Sequence, residues 1–169
     1  MSVVDQKYRT PLFGEAPGVM TALCAGRGRL RLYVFVALLS CSSAALACSV
    51  NASAVSFAQF NPLADSTNYG SGVIDISCPS STSYTVSLSA GQGSFSSRYM
   101  TSGENQLLYN LYTGPSYDHI WGDGSGVTVQ VSGSADTSGT SHTVYGRVPP
   151  QSSATVGHYS DGIVVTVSY

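Results

Sequence analysis

Apolar and polar positions alternate through almost every segment after Cys48. VSFAQF (55–60), GVIDISC (72–78), YTVSLSAG (84–91), QLLYNLYTG (106–114), GVTVQVSG (126–133) and HTVYGRV (142–148) all read at period 2, the signature of half-buried strands. The closing run, DGIVVTVSY (161–169), is the clearest. There Ile163, Val165, Val167 and Tyr169 alternate with Val164, Thr166 and Ser168. Turn-formers separate the runs: NPLADSTNYGSG, CPSSTS, AGQGSFSS, TSGEN, GDGSG, SGSADTSGTS and VPPQSSATVG. No segment sustains a 3.6-residue apolar stripe.

About seven short, evenly spaced strands in roughly 120 residues predict an all-β chain, an antiparallel β-sandwich of immunoglobulin-like size. In YTVSLSAG the inward set is Tyr84, Val86 and Leu88, with Thr85, Ser87 and Ser89 facing water. Asp75 is expected on the solvent face between Ile74 and Ile76. The pattern leaves one question open: no turn and no partner strand follow the closing run, so what pairs with its other edge?

The first part of the chain has a different layout. Arg27, Arg29 and Arg31 form a basic region, LYVFVALLS (32–40) a short apolar core, and CSSAALA (41–47) ends in a small-x-small site. This is the arrangement of a secretory signal peptide, and the apolar run is too short to span a membrane. Cleavage is expected between Ala47 and Cys48. Residues 1–47 are thus read as an N-terminal extension plus signal, with Met20 the expected start, and 48–169 as one exported domain. Ala45-Leu46-Ala47 puts alanine where a lipobox prefers leucine, which argues against lipidation of Cys48.

Export changes the charge balance. Residues 48–169 contain no lysine; Arg98 and Arg147 face seven carboxylates, for a formal charge of −5. No basic surface is available to neutralise phosphates, so nucleic acid is excluded as a partner. Cys24 and Cys41 leave with the signal. Cys48 and Cys78 remain, and an oxidising compartment predicts a disulfide between them.

Candidate chemistry is sparse. His119, His142 and His158 have no ligand spacing, so no metal or other cofactor is expected. There is no G-x-S-x-G elbow, and GDGSG (122–126) is a turn rather than a nucleophile setting, so the chain is read as no enzyme. YNLYTGPSYDHIWGDG (109–124) gathers Tyr109, Tyr112, Tyr117 and Trp121. Such a cluster either packs under a loop or offers glycan-contact aromatics. Asn51 opens an N-A-S sequon.

YTVSLSAGQGSFSSRYM, LLYNLYTGPSYDHIWGDG, VYGRVPPQSSATVGHYSDGIVVTVSY and the Cys48/Cys78 pair together resemble the spore coat protein U domain family, which includes subunits of Csu-type archaic chaperone–usher pili. The ordered set Y-x-V-x-L-S-x-G, R-x-M, L-x-Y-N-L-Y, W-G-D-G and Y-G-R-x-P carries the resemblance across nearly all of 48–169. It implies an incomplete sandwich lacking its last strand, completed by donor-strand insertion from a neighbouring pilus subunit or, earlier, a periplasmic chaperone. Ile163, Val165, Val167 and Tyr169 would then form one wall of an acceptor groove and the first strand after Cys48 the other. The implied partners are the periplasmic chaperone, an outer-membrane usher, neighbouring subunits and a surface or glycan receptor. The implied route is periplasm, then cell surface.

One departure stands out. Shaft subunits carry an apolar donor segment ahead of the first cysteine, and cleavage directly before Cys48 would leave none. A tip or minor subunit is therefore expected. Two other readings are a secreted carbohydrate-binding module and a free-standing sandwich closed by its own N-terminal residues.

Overall fold

The computed structural model describes residues 47–169 and, ahead of them, only the two-residue strand β1 (Asp5–Gln6). The rest of the expected leader, with its arginines, its apolar core, Cys24 and Cys41, lies outside the described residues. Among the described residues every regular element is a strand, and there is no helix.

Two sheets carry the fold. The larger places β2 (Ser49–Ala52), β4 (Asn68–Ser77), β12 (Thr140–Val148), β8 (Asn105–Tyr112), β9 (Ile120–Trp121) and β10 (Thr128–Val129) side by side. The short β3 (Ser56–Phe57) follows β2 along β4, and β7 (Ser97–Ser102) with β6 (Gly93–Ser94) extends from β8. The smaller sheet orders β11 (Val131–Ala135), β5 (Thr82–Leu88), β13 (Val164–Ser168) and β1. Pairing is antiparallel except between β9 and β10 and between β1 and β13.

Period-2 burial explains the layering. Ile74 and Ile76 on β4, Tyr84, Val86 and Leu88 on β5, and Val165 and Val167 on β13 are all buried, while Asp75 is exposed as expected. Trp121 is 1 % exposed and its indole N–H donates to the Val86 carbonyl at 3.1 Å, stitching β9 of one sheet to β5 of the other. Gly146 on β12 has a packing role: a Cβ there would lie 2.5 Å from the Phe57 ring, so only glycine lets that ring enter the core.

Several boundaries differ from the sequence pattern. NPLADSTNYGSG reads as a turn, yet β4 begins at Asn68, its polar residues held by ladder bonds to β12. VSFAQF contributes only Ser56–Phe57, and the strand beside the cysteines starts earlier, at Ser49. GVTVQVSG is not one strand. Thr128 and Val129 pair with β9, whereas Val131 onward pairs with β5, so the chain changes sheets at Gln130. The Cys48–Cys78 disulfide (S–S 2.06 Å) fastens the start of β2 to the end of β4.

A second tie between sheets is polar. The Tyr84 hydroxyl on β5 lies 2.6 Å from His142 Nε2 on β12, with the two rings edge-on. Burial holds the His142 imidazole below its usual range, so the unfolded chain takes up that proton first. Stability is therefore full above the unfolded value near 6.5 and falls as pH drops from there towards the lower folded value. Urea unfolding of the full chain at pH 7.5 and pH 5.5 should show this loss, and His142→Gln should reduce it. An equal loss in both proteins would remove His142 from the account.

Candidate functional site

β13 presents two edges and two faces. Ile163, Val165 and Val167 point inward at 2, 5 and 5 % exposure, and Tyr169 packs half-buried against the same core. One edge pairs antiparallel with β5 from Val165↔Leu88 to Ser168↔Thr85. Just before this ladder, the Ser89 N–H donates to the Val164 carbonyl at 3.0 Å. Antiparallel alternation then turns the peptide groups of Val165 and Val167 to the opposite side. That second edge meets β1, which runs parallel with Asp5 opposite Val164 and Gln6 opposite Val165. The question raised by the sequence thus has a structural answer: in the full chain a short N-terminal strand lies beside the closing one.

Across the sandwich from β13 stand β2 and β3, and between them runs a narrow apolar cleft. Val55 lines one side, Ile163 and Val165 the other, with Ile74, Leu111 and Val144 contributing from the larger sheet. Its free volume is only about 10 Å³, room for one water at most. A second cavity, of about 470 Å³, lies between Phe57, Phe60 and Pro62 on one flank and Val156, His158 and Tyr159 on the other.

A buried polar cluster fixes where β13 begins. Arg98 on β7 is fully buried, and its guanidinium donates to the Ser89 carbonyl from Nε (3.2 Å) and Nη2 (2.7 Å), to the Trp121 carbonyl (2.8 Å) and to Asn110 Oδ1 (2.7 Å). Ser89 in turn holds Val164, its Oγ accepting the Val164 N–H at 2.9 Å. Asp161 accepts from the Tyr109 hydroxyl at 2.6 Å and from the Gln92 and Gly162 N–H groups. Burial lowers the Arg98 pKa, partly offset by Tyr109 and Asp161. Burial also pushes the Tyr109 hydroxyl far up, reinforced by its bond to Asp161. In the sequence Arg98 shows only as a charge and through the R-x-M spacing, whose Met100 is also buried.

The four candidate glycan aromatics do not share a surface. Tyr109 and Trp121 are 2 and 1 % exposed and serve the core, so neither can stack on a sugar. Their burial follows from β8 and β9 turning those positions inward and from buried partners for their polar atoms. Tyr112 and Tyr117 do reach the surface and pack edge-on against each other, and Tyr117 also meets Tyr69 and Tyr145, two rings from distant strands that the local pattern does not single out. His119 and His158 are exposed, and His142 meets Tyr84 rather than a serine. Among the described residues no three His, Cys, Asp or Glu side chains group as metal ligands.

Residues 35–166 match the model of the family described as Spore Coat Protein U domain. No curated protein matches the chain. Among solved structures, similarity is found to a chain of the crystal structure of the CsuC–CsuE chaperone–tip adhesion subunit pre-assembly complex from archaic chaperone–usher Csu pili of Acinetobacter baumannii. The TM-score is 0.52 at 21 % identity, covering 73 % of this chain and 40 % of that one. At that identity the likeness is one of fold, and this chain spans two fifths of its neighbour's length.

Proposed function

Because the chain belongs to the Spore Coat Protein U domain family, we propose that it is a non-enzymatic, exported subunit of a chaperone–usher surface assembly that receives a donor strand beside β13. The observation carrying this reading is the second edge of β13. It backs a fully apolar inner face, and β1 covers it over only two residues. If processing occurs after Ala47, Asp5–Gln6 departs, and the peptide groups of Val165 and Val167 become available to another polypeptide. The likeness in fold to a chain of a chaperone–subunit complex supports the same direction.

A donor strand would enter between β13 and the β2–β3 segment, and the closed state of the cleft means these walls must part to admit it. Burying four or five aliphatic side chains there, at roughly 1.5 to 3 kcal/mol each, would be comparable to the 5–15 kcal/mol that holds a domain of this size. A periplasmic chaperone would shield the open edge before assembly. An outer-membrane usher and neighbouring subunits complete the partner set. With Cys48 as the mature N-terminus the subunit accepts a strand but offers none ahead of the cysteine, which suits a tip position.

The pairing of β1 with β13 favours a second reading, a sandwich closed by its own N-terminal residues. Amide exchange separates the two. In residues 48–169 alone, Val165 and Val167 should exchange far faster than Thr166, which faces β5, and a bound partner strand should slow them. A lone domain that melts cooperatively at high temperature, with Val165 and Val167 already slow, would rule out strand acceptance. Protection present in the full chain and retained after export would favour self-closure.

A further inference from the structure

We propose that the tyrosine cluster on the outer face of β4, β12 and β8 binds an acidic saccharide, a pyranose carrying a carboxylate, with Tyr117 as the stacking platform and Arg147 as the partner of the carboxylate. The site stands apart from the β13 edge and does not depend on whether that edge accepts a strand.

Tyr117 is the hub. Its ring centroid lies 5.0 Å from Tyr69, 5.3 Å from Tyr112 and 6.4 Å from Tyr145. The strand register explains the assembly: Tyr145 sits opposite Tyr112 on one side and Ser71 on the other, and Arg147 sits opposite Asn110 and Tyr69. Residues 145 and 147 share a face of β12, so the guanidinium rises beside the rings. Burial, with Tyr69 and Tyr145, raises the Tyr117 hydroxyl pKa, and the positive charge of Arg147 opposes the rise.

Backbone geometry makes the case that this ring is kept for use. Tyr117 has φ 58°, the one non-glycine residue with positive φ among those described. A bulky residue in the left-handed region is a conformational outlier that glycine would relieve. The core gains little from it, since the ring packs on the outer surface beside Tyr69, itself 54 % exposed. Outliers of this kind cluster at ligand sites.

Charge and shape choose the ligand. Of the two arginines in 48–169, Arg98 is buried with its donors engaged, so Arg147 is the only accessible strong cation there. Despite seven carboxylates in the same domain, Arg147 makes no side-chain hydrogen bond or ion pair among the described residues. A planar guanidinium with no side-chain partner, on the same face of β12 as Tyr145 and at a register position opposite Tyr69, suits bidentate capture of a carboxylate next to a stacked ring. Tyrosines offer apolar faces with polar tips, matching the alternating faces and hydroxyls of a sugar. A cavity of about 160 Å³ opens beside Tyr112 and Arg147, bounded by Ser96, Ser97 and Pro149. The net charge of −5 opposes long polyanions, so short oligomers at moderate salt, where the repulsion is screened, are the favoured ligands.

The test is calorimetric titration of the full chain with trigalacturonate, and with neutral maltotriose as comparison. Trigalacturonate should bind more tightly. Tyr117→Gly, which keeps the backbone at its positive φ and removes only the ring, should weaken it about tenfold or more. Arg147→Gln should erase the preference for the acidic trimer while leaving residual stacking. No binding at millimolar sugar, or binding unchanged in Tyr117→Gly, overturns the proposal. Self-association of the chain that Tyr117→Gly abolishes also overturns it, by assigning this face to a second copy.

Discussion

Arg98→Met is expected to destabilise the protein by about 2–5 kcal/mol, because buried acceptors lose a charged hydrogen-bond donor. The methionine fills most of the volume but supplies none of the four bonds that the guanidinium makes to Ser89, Trp121 and Asn110. The Ser89 and Trp121 carbonyls then lose these donors, while Asn110 Oδ1 keeps the Leu111 N–H, and each unmet group costs about 1–3 kcal/mol. Against a total of about 5–15 kcal/mol, such a loss brings the chain near unfolding. Arg98→Lys should rescue little, because one ammonium cannot reproduce the planar fork. Urea denaturation of the full chain measures both. A change below about 1 kcal/mol in Arg98→Met would show that the cluster is dispensable. The effect should extend to the closing strand, since Ser89 joins Arg98 to Val164. Exchange at Val164 should accelerate even in mild denaturant.

Removing the disulfide is the second large effect. The bridge closes a separation of 30 residues, for which chain entropy predicts about 3–4 kcal/mol. Cys48→Ala with Cys78→Ala, or reduction of the native protein, should lower the melting temperature by about 10–20 °C. The local consequence falls on β2. This four-residue strand lies along β4, with the bridge at its N-terminal end. Without that tie the wall of the cleft opposite β13 should loosen before the rest of the sandwich. Unchanged melting in the reduced protein would mean that pairing with β4 alone holds the segment.

The architecture was legible wherever a strand has one wet face. GVIDISC, YTVSLSAG and the closing run place their buried residues where alternation puts them, and Asp75 stays in water. Legibility failed where something other than alternation governs burial. SRYMTS is mostly polar, yet it forms β7, because Arg98 enters the core on hydrogen bonds rather than on hydrophobicity. The sheet change at Gln130 leaves the period intact and so leaves no trace in the pattern. The β13 flank was partly visible: the run itself was plain, but its neighbour β1 lies in a segment without strand periodicity. The tyrosine cluster was half visible. Tyr112 and Tyr117 are close in sequence, but Tyr69 and Tyr145 arrive through the β4–β12–β8 register, which only the folded sheet defines.

The burial of Arg98 has a further result for a protein exposed to the environment. Proteases that cut after basic residues need an extended, accessible loop around the cleavage point. From Cys48 to Tyr169 they meet one arginine sealed in the interior and a second on the central strand of a three-strand ladder, paired on both sides, with no lysine at all. The folded domain thus gives trypsin-like enzymes no ready place to start, a form of durability that comes from where two side chains sit and not from added stability.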